Sequence, residues 1–323
     1  MSSINFIMES NSKKEIKMNT ILITTSSFAQ YDKSPIEMIE NENYSFVLNE
    51  YKRKLTEEEI FSLIEKYDPI GLISGVEPIT SRVLEKAKKL KVISRCGIGM
   101  DNIDFEAAKK HSIHLLNTPD APTASVAELT LGLILDVLRK ISFTQENIKK
   151  NKWIRPMGNL IQGKTVGIIG CGRIGKYLAK LLSNFNCTVL GFDIEKKQNQ
   201  YYLSVELDKL YAKSDIVTLH IPYSSDIYHM INHNALSSMK KGAILINTAR
   251  GGLIDEDALF NMLSTGHLSG AALDCFENEP YSGKLIQLDN IVLTSHIGSY
   301  AIECRTIMEK QAVINLLDSL KSM

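Results

Sequence analysis

The sequence predicts an α/β protein built on parallel sheets, and three observations predict it. Apolar runs of four to six residues alternate with helix-length patterns, the rhythm of repeated strand–loop–helix units. The runs are near-continuously hydrophobic, as strands covered on both faces require. One run ends in a glycine-rich turn that opens a helix, the form of a βαβ unit. At 323 residues the chain has the length of two domains of about 150 residues each.

In chain order, residues 1–17 are polar and patternless and read as a flexible N-terminal extension. A strand follows at Ile21–Thr24, then buried strands around Gly71–Ile73, Lys91–Ser94, Thr165–Ile169, Thr188–Phe192, Ile216–Leu219, Ala243–Ile246 and Ile291–Leu293. The longest helical pattern, Ala124–Ile141, begins after Pro119 and Pro122. Leu129, Leu131, Leu133, Leu135 and Leu138 spread around it, so it is expected to be buried on several sides. Trp153, the sole tryptophan, lies in the polar stretch NKWIRPMGN and reads as an arm on a second subunit or as a surface loop.

Composition excludes several classes of partner. Lys plus Arg and Asp plus Glu both total 37, so no surplus of positive charge is available for nucleic acid or an acidic membrane. No run approaches the ~18 apolar residues of a membrane span. The N-terminus lacks the apolar stretch of a secretory signal. Five cysteines without a C-x-x-C pair read as free thiols in a reducing cytoplasm.

The nucleotide site is the sharpest local feature. In TVGIIGCGRIG the strand ends at Gly170, and Gly170-x-Gly172-x-x-Gly175 opens a helix packed through Ile174, Leu178, Leu181 and Leu182. Gly170 permits the tight turn, Gly172 admits a pyrophosphate close to the backbone, and Gly175 lets helix and strand pack. The helix N-terminus adds unpaired N–H groups and partial positive charge. A second strand ends at Asp193, whose carboxylate can accept both ribose hydroxyls and would repel a 2′-phosphate, favouring NAD over NADP. Lys196 and Lys197 close by weaken that exclusion.

Three groups sit just past buried strands, where open α/β sheets bind ligands. Arg250, in ILINTARGGLIDE, can hold a carboxylate bidentately or pair with Asp255 or Glu256. His296, in VLTSHIGSY, reads equally as an acid–base group or a satisfied structural histidine. Glu279, in AALDCFENEP, reads by itself as a solvated loop carboxylate. Taken together, the histidine moves a proton, the glutamate orients it and the arginine holds a carboxylate substrate. The remaining histidines, His111, His114, His220, His229, His233 and His267, default to surface or capping roles, and none has metal-ligand spacing.

The motifs SGVEPIT (74–80), SRCGIGMDNID (94–104), NTPDAPTASVAELTLGL (117–133), GKTVGIIGCGRIG (163–175), INTARGGLIDE (246–256), ALDCFENEP (272–280) and SHIGSY (295–300) occur in this order. In them the chain resembles the D-isomer-specific 2-hydroxyacid dehydrogenases, in particular their phosphoglycerate-dehydrogenase-like branch without a regulatory domain. The resemblance covers nearly all of residues 19–323. It implies two Rossmann-like/flavodoxin-like lobes with parallel sheets and an active site in the interdomain cleft. Residues 18–117 and 298–323 would bind substrate and 118–297 NAD. It implies catalytic roles for Arg250, Glu279 and His296, with substrate facing Gly75, Val76, Gly97, Ile98 and Gly99. Further cofactor contacts follow at Arg173, Ile174, Thr248, Ala249, Asp274 and Gly298, together with a homodimer joined through the NAD lobes.

The implied activity is NAD-dependent interconversion of a D-2-hydroxy acid and its 2-oxo acid. A nucleotide-sensing corepressor on the same fold is the alternative, and the absence of long basic or disordered tails weighs against it. Serine-pathway members carry an arginine–serine pair just before their S-x-T-type loop. Here the chain reads Ile73-Ser74-Gly75-Val76-Glu77, so a phosphorylated substrate is disfavoured.

Overall fold

The computed structural model describes residues 19–195 and 199–323. The expected extension at 1–17 and the Lys196-Lys197 pair lie outside the described residues. The chain divides into two compact units. Among the described residues, one comprises those through Cys96, Asn102–Leu116 and Glu309–Met323; the other comprises Gly97–Asp101 and those of Asn117–Met308. Gly97–Asp101 therefore groups with the second unit. It is tied there by Thr118, whose hydroxyl accepts the Gly97 N–H (2.8 Å), and by Arg250, which pairs with Asp101.

The first unit carries β1 (Thr20–Ile23), α1 (Ser34–Asn41), β2 (Ser45–Leu48), α2 (Glu57–Tyr67) and β3 (Gly71–Ser74). It continues through α3 (Ser81–Lys86), β4 (Val92–Arg95), α4 (Phe105–Lys110) and β5 (His114–Asn117). The sheet runs β2-β1-β3-β4-β5, and β1 pairs in parallel with both β2 and β3. The chain reverses its direction of travel across the sheet between β1 and β3, and the segment Gly75–Glu77 leaves the carboxyl end there.

The second unit holds α5 (Pro122–Arg139), α6 (Ile141–Lys149), β6 (Thr165–Ile169), α7 (Arg173–Ser183), β7 (Thr188–Phe192), β8 (Leu203–Ser204) and α8 (Leu207–Lys213). After them come β9 (Ile216–Leu219), α9 (His233–Ser238), β10 (Ala243–Asn247), α10 (Glu256–Ser264), β11 (Leu268–Leu273) and β12 (Ile291–Leu293). The last helix, α11 (Ile302–Lys321), counts with the second unit through Met308 and with the first from Glu309. The sheet order is β12-β11-β10-β9-β6-β7-β8, with every pair parallel. Strands β6, β9 and β10 are almost wholly buried, which explains their near-continuous hydrophobicity. The topological switch lies between β6 and β9, so the turns after these strands flank one crevice.

The long helix differs from its expected bounds. It starts at Pro122, where a proline's fixed φ and missing N–H suit the first turn, and it ends at Arg139. Lys140 is left-handed (φ 56°), and α6 follows at once. The Asp136 carboxylate takes the Ser142 N–H (2.8 Å) and hydroxyl, which fixes this break. Pro122, Val126, Ala127, Thr130, Leu133, Ile134 and Leu138 are buried, while Leu129, Leu131 and Leu135 pack partly buried against the same core.

Candidate active site

The turn after β6 is shaped by what its glycines lack. A side chain at Gly170, whose φ is +94°, would lie 2.5 Å from the His220 carbonyl across the switch point. One at Gly175 would collide with the Gly170 carbonyl. A side chain at Gly172 would meet nothing within 4 Å: this is open space above the N-terminus of α7, which has no side-chain cap. Asp193, at the end of β7, accepts the Cys171 N–H (2.7 Å) on one oxygen and the Glu195 N–H (3.0 Å) on the other. Behind it, burial pushes the Cys171 thiol up to about 11. The Ile174 side chain packs on the core, and Arg173 reaches Asp120 (2.6 Å) at the surface.

Arg250 follows β10 in a segment built by its neighbours. Asn247 donates to the Arg250 carbonyl (2.8 Å) and accepts the Ala249 N–H (3.0 Å). The Thr248 hydroxyl meets that of Thr130 on α5 at 2.9 Å. Arg250 does not pair with Asp255 or Glu256: its Nε donates to Asp101 (2.6 Å) and its Nη1 to the Ala249 carbonyl (2.8 Å). Asp255 instead caps α10. The guanidinium lies over Gly99, where any Cβ would strike Nη2. Among the described contacts, Nη2 and one Nη1 hydrogen are left to a ligand. Gly97 and Ile98, in the same turn, are held by Thr118 and by Asn117 Nδ2, which donates to the Ile98 carbonyl (2.8 Å).

His296 and Glu279 form a couple. His296 Nδ1 lies 3.0 and 2.9 Å from the two Glu279 oxygens, and Glu279 Oε1 also accepts the Phe276 N–H (3.1 Å). With Nδ1 committed to the carboxylate, Nε2 is the nitrogen left for chemistry. His296 occupies the left-handed region (φ 56°), uncommon for non-glycine residues though histidine enters it more readily than most. Asp274 holds the turn in place: 1% exposed, it accepts the Thr294 hydroxyl (2.6 Å), the Ile297 N–H (2.8 Å) and the Gly298 N–H (2.8 Å). The Cys275 thiol beside it is pushed well up, first by burial and then by Asp274. Glu279 and Glu256 push in the same direction, and Arg250 opposes them.

Some residues behave otherwise than the sequence suggests. His220 is no surface group. It is partly buried, with Nε2 against the Thr218 hydroxyl (3.0 Å), and desolvation of the ring depresses its pKa to about 3. His229 pairs with Glu277. No grouping of metal ligands occurs among the described residues. In the first unit, Glu77 is 1% exposed; it accepts the Thr24 hydroxyl and, at 2.9 Å, the Gly75 N–H. Val76 is exposed. Nothing in the sequence singles out Asp101 except its place in SRCGIGMDNID, two residues after Gly99.

Residues 131–298 match the family described as D-isomer specific 2-hydroxyacid dehydrogenase, NAD binding domain. A hydroxypyruvate reductase of Thermotoga maritima is 38% identical over 281 residues, covering 85% of this chain and 90% of the relative. The chain belongs to this family.

A D-3-phosphoglycerate dehydrogenase of Methanocaldococcus jannaschii is 42% identical over 259 residues, 78% of this chain but 49% of that protein. Among solved structures, the D-lactate dehydrogenase of Aquifex aeolicus complexed with NAD and lactic acid superposes with a TM-score of 0.81 at 28% identity. That likeness covers 94% of this chain and 96% of the other. This dehydrogenase is therefore an NAD-dependent oxidoreductase interconverting a D-2-hydroxy acid and its 2-oxo acid, and the corepressor alternative is not favoured. The turn after β6 fits the cofactor: the three glycines leave the cradle a pyrophosphate needs, and an acidic residue ends the next strand.

Proposed function

We propose that this dehydrogenase acts on a small, unphosphorylated D-2-hydroxy acid and its 2-oxo acid, with His296, Glu279 and Arg250 as its catalytic set. One observation carries the reading: His296 offers a single free ring nitrogen because Glu279 takes the other with both oxygens. In reduction, a 2-oxo acid, NADH and a proton give the 2-hydroxy acid and NAD⁺. The bound nicotinamide supplies or accepts the hydride. His296 Nε2 gives its proton to the oxygen of the reacting carbon, and takes it back in the reverse direction. Glu279 holds the ring and balances its charge when both nitrogens are protonated. Arg250, braced through Nε, presents its outer N–H groups to the substrate carboxylate as a bidentate fork.

Residues 118–297 are proposed to hold NAD. Gly170, Gly172, Arg173, Ile174 and Gly175 form the phosphate cradle, and Asp193 takes the ribose. Thr248, Ala249, Asp274 and Gly298 line the nicotinamide end. Residues 18–117 and 298–323 are proposed to serve substrate through backbone at Gly75 and Val76, joined by Gly97, Ile98 and Gly99. Two features speak against a phosphorylated substrate. The segment Ile73-Ser74-Gly75-Val76-Glu77 offers no arginine, with Ser74 buried and neutral, and the Glu77 carboxylate is buried directly under Gly75. Exposed Trp153 and Met157 support a homodimer. The free thiols support a cytoplasmic location.

NADH consumption against glyoxylate, hydroxypyruvate, pyruvate and phosphohydroxypyruvate, with His296→Ala alongside, tests this reading. Turnover of an unphosphorylated acid that falls at least about 10²-fold in the variant is expected. Full activity in His296→Ala would remove the acid–base assignment, and a preference for phosphohydroxypyruvate would overturn the argument from Ser74 and Glu77.

A further inference from the structure

Two histidine–glutamate couples grip the loop that follows β11. Glu279 is paired with His296. Two residues earlier, Glu277 is paired through Oε1 with Nε2 of His229, which comes from the loop after β9. The couple is not a loose surface contact, since both side chains are about three-quarters buried (27% and 25% exposed). The His229 ring stacks on Tyr228 with centroids 3.8 Å apart, and its backbone N–H donates to the Gly252 carbonyl (2.9 Å). The Glu277 N–H donates to Glu256 Oε1 (3.0 Å). Gly251 lies so close to the Phe276–Glu277 peptide that a Cβ there would collide with it.

We propose that His229 is a positioning residue for hydride transfer. By holding Glu277, its ring fixes the Phe276–Glu277 peptide, and the Phe276 N–H in turn holds Glu279 Oε1 (3.1 Å) in front of His296. The inference rests on the reading of Glu279 and His296 as the acid–base couple. A surface contact between two polar side chains is by itself worth little. This one differs because it closes a chain of contacts ending on the reacting histidine: His229 to Glu277, along the peptide to Phe276, then to Glu279. The His229 backbone bond to Gly252 does not depend on the side chain, so removing the ring alone leaves the loop's framework in place.

The test is the rate of NADH oxidation in a single turnover with saturating 2-oxo acid, for His229→Ala, His229→Gln, Glu277→Ala and the double alanine variant. Melting temperature and NADH affinity are measured alongside. The two single alanine variants are expected to slow the step about tenfold, less than the ~10² that a 1 Å misplacement can cost. NADH affinity and KM should change less than about twofold, because Arg250 keeps its own brace at Asp101. His229→Gln, whose amide can still donate to Glu277, should recover most of the rate. The double variant should be no slower than either single one, the mark of residues acting as a unit. Unchanged rates in both single alanine variants, or a glutamine variant as slow as the alanine, would overturn the proposal. His296→Ala and Glu279→Gln are run in parallel: if they too keep full rate, the acid–base reading itself has failed. If only they are slow, the positioning role alone is lost.

Discussion

Asp101 and Gly99 act on Arg250 in opposite senses, one by attraction and one by absence. Asp101 fixes Nε at 2.6 Å, which leaves the guanidinium its fork of outer hydrogens, and Gly99 leaves room for Nη2. Asp101→Ala should raise KM for the 2-oxo acid about tenfold, roughly one charge-assisted hydrogen bond, with NADH affinity little changed. Gly99→Ala collides with a side-chain end rather than with backbone. It should fold normally while lowering kcat/KM by a similar factor, measured by steady-state kinetics beside a thermal melt. His220 adds a pH dependence of stability. Its folded pKa of about 3 lies below the ordinary 6.5, so between these values the unfolded chain binds more protons. Stability is complete above pH 6.5 and falls as pH drops toward 3. At pH 5 the loss from this group is about 2 kcal/mol. His220→Asn should flatten that part of the curve in urea unfolding at pH 5 and 7.5; an unchanged slope would show that His220 does not carry it.

Among the elements, the β6–α7 turn tolerates least change. A Cβ at Gly175 meets the Gly170 carbonyl, which is backbone and cannot swing away. Gly175→Ala should destabilise the fold by about 1–3 kcal/mol and weaken NADH binding, read by denaturant melts and fluorescence titration. This turn was legible in the sequence because its constraint is local: glycines at fixed offsets, a strand before and a helix after. Strands β6, β7 and β9 announced themselves for a related reason, since burial on both faces leaves an apolar run in the chain itself. Edge strands β2 and β5 did not, whereas β12, also at an edge and only partly buried, is legible as Ile291–Leu293. All four residues of β2 are only partly buried, and β5 begins with exposed His114, so neither carries the continuous run that burial on both faces imposes. The break at Lys140 was hidden too, because it depends on Asp136 reaching Ser142. In the site, the motif residues were visible, but what braces them was not. The Arg250–Asp101 bond joins positions 149 residues apart, and His229 meets Glu277 across 48. The second pair exists only once strands β9, β10 and β11 lie side by side, and the first joins the segment after β4 to the turn after β10.

At the scale of the whole molecule, the surface of the second unit points to a partner. Helix α6 has no buried residue, and Ile141 and Ile148 line an apolar groove with Arg139, Thr144, Gln145 and Lys149. The segment after it leaves Trp153 82% and Met157 90% exposed, with Leu160 exposed beside them. This segment is nonetheless anchored. The Asn159 N–H donates to the Leu138 carbonyl (2.9 Å), and Gly158 fits where a Cβ would strike that same carbonyl at 2.7 Å. An ordered strand of chain that displays its largest apolar side chains is the pattern of an arm that covers another surface, and contiguous patches of this kind mark interfaces. A formal net charge of zero removes long-range repulsion between two copies. The proposed homodimer therefore predicts a solution mass of twice 36.2 kDa at micromolar concentration by light scattering. Trp153→Ser combined with Met157→Ser should shift that mass toward one chain. Because neither side chain belongs to the core, the thermal melt of the dissociated chain should still show a folded protein. A wild-type mass of one chain would dismiss the dimer and leave the arm as surface loop. A double variant that keeps the doubled mass would move the interface elsewhere on the molecule.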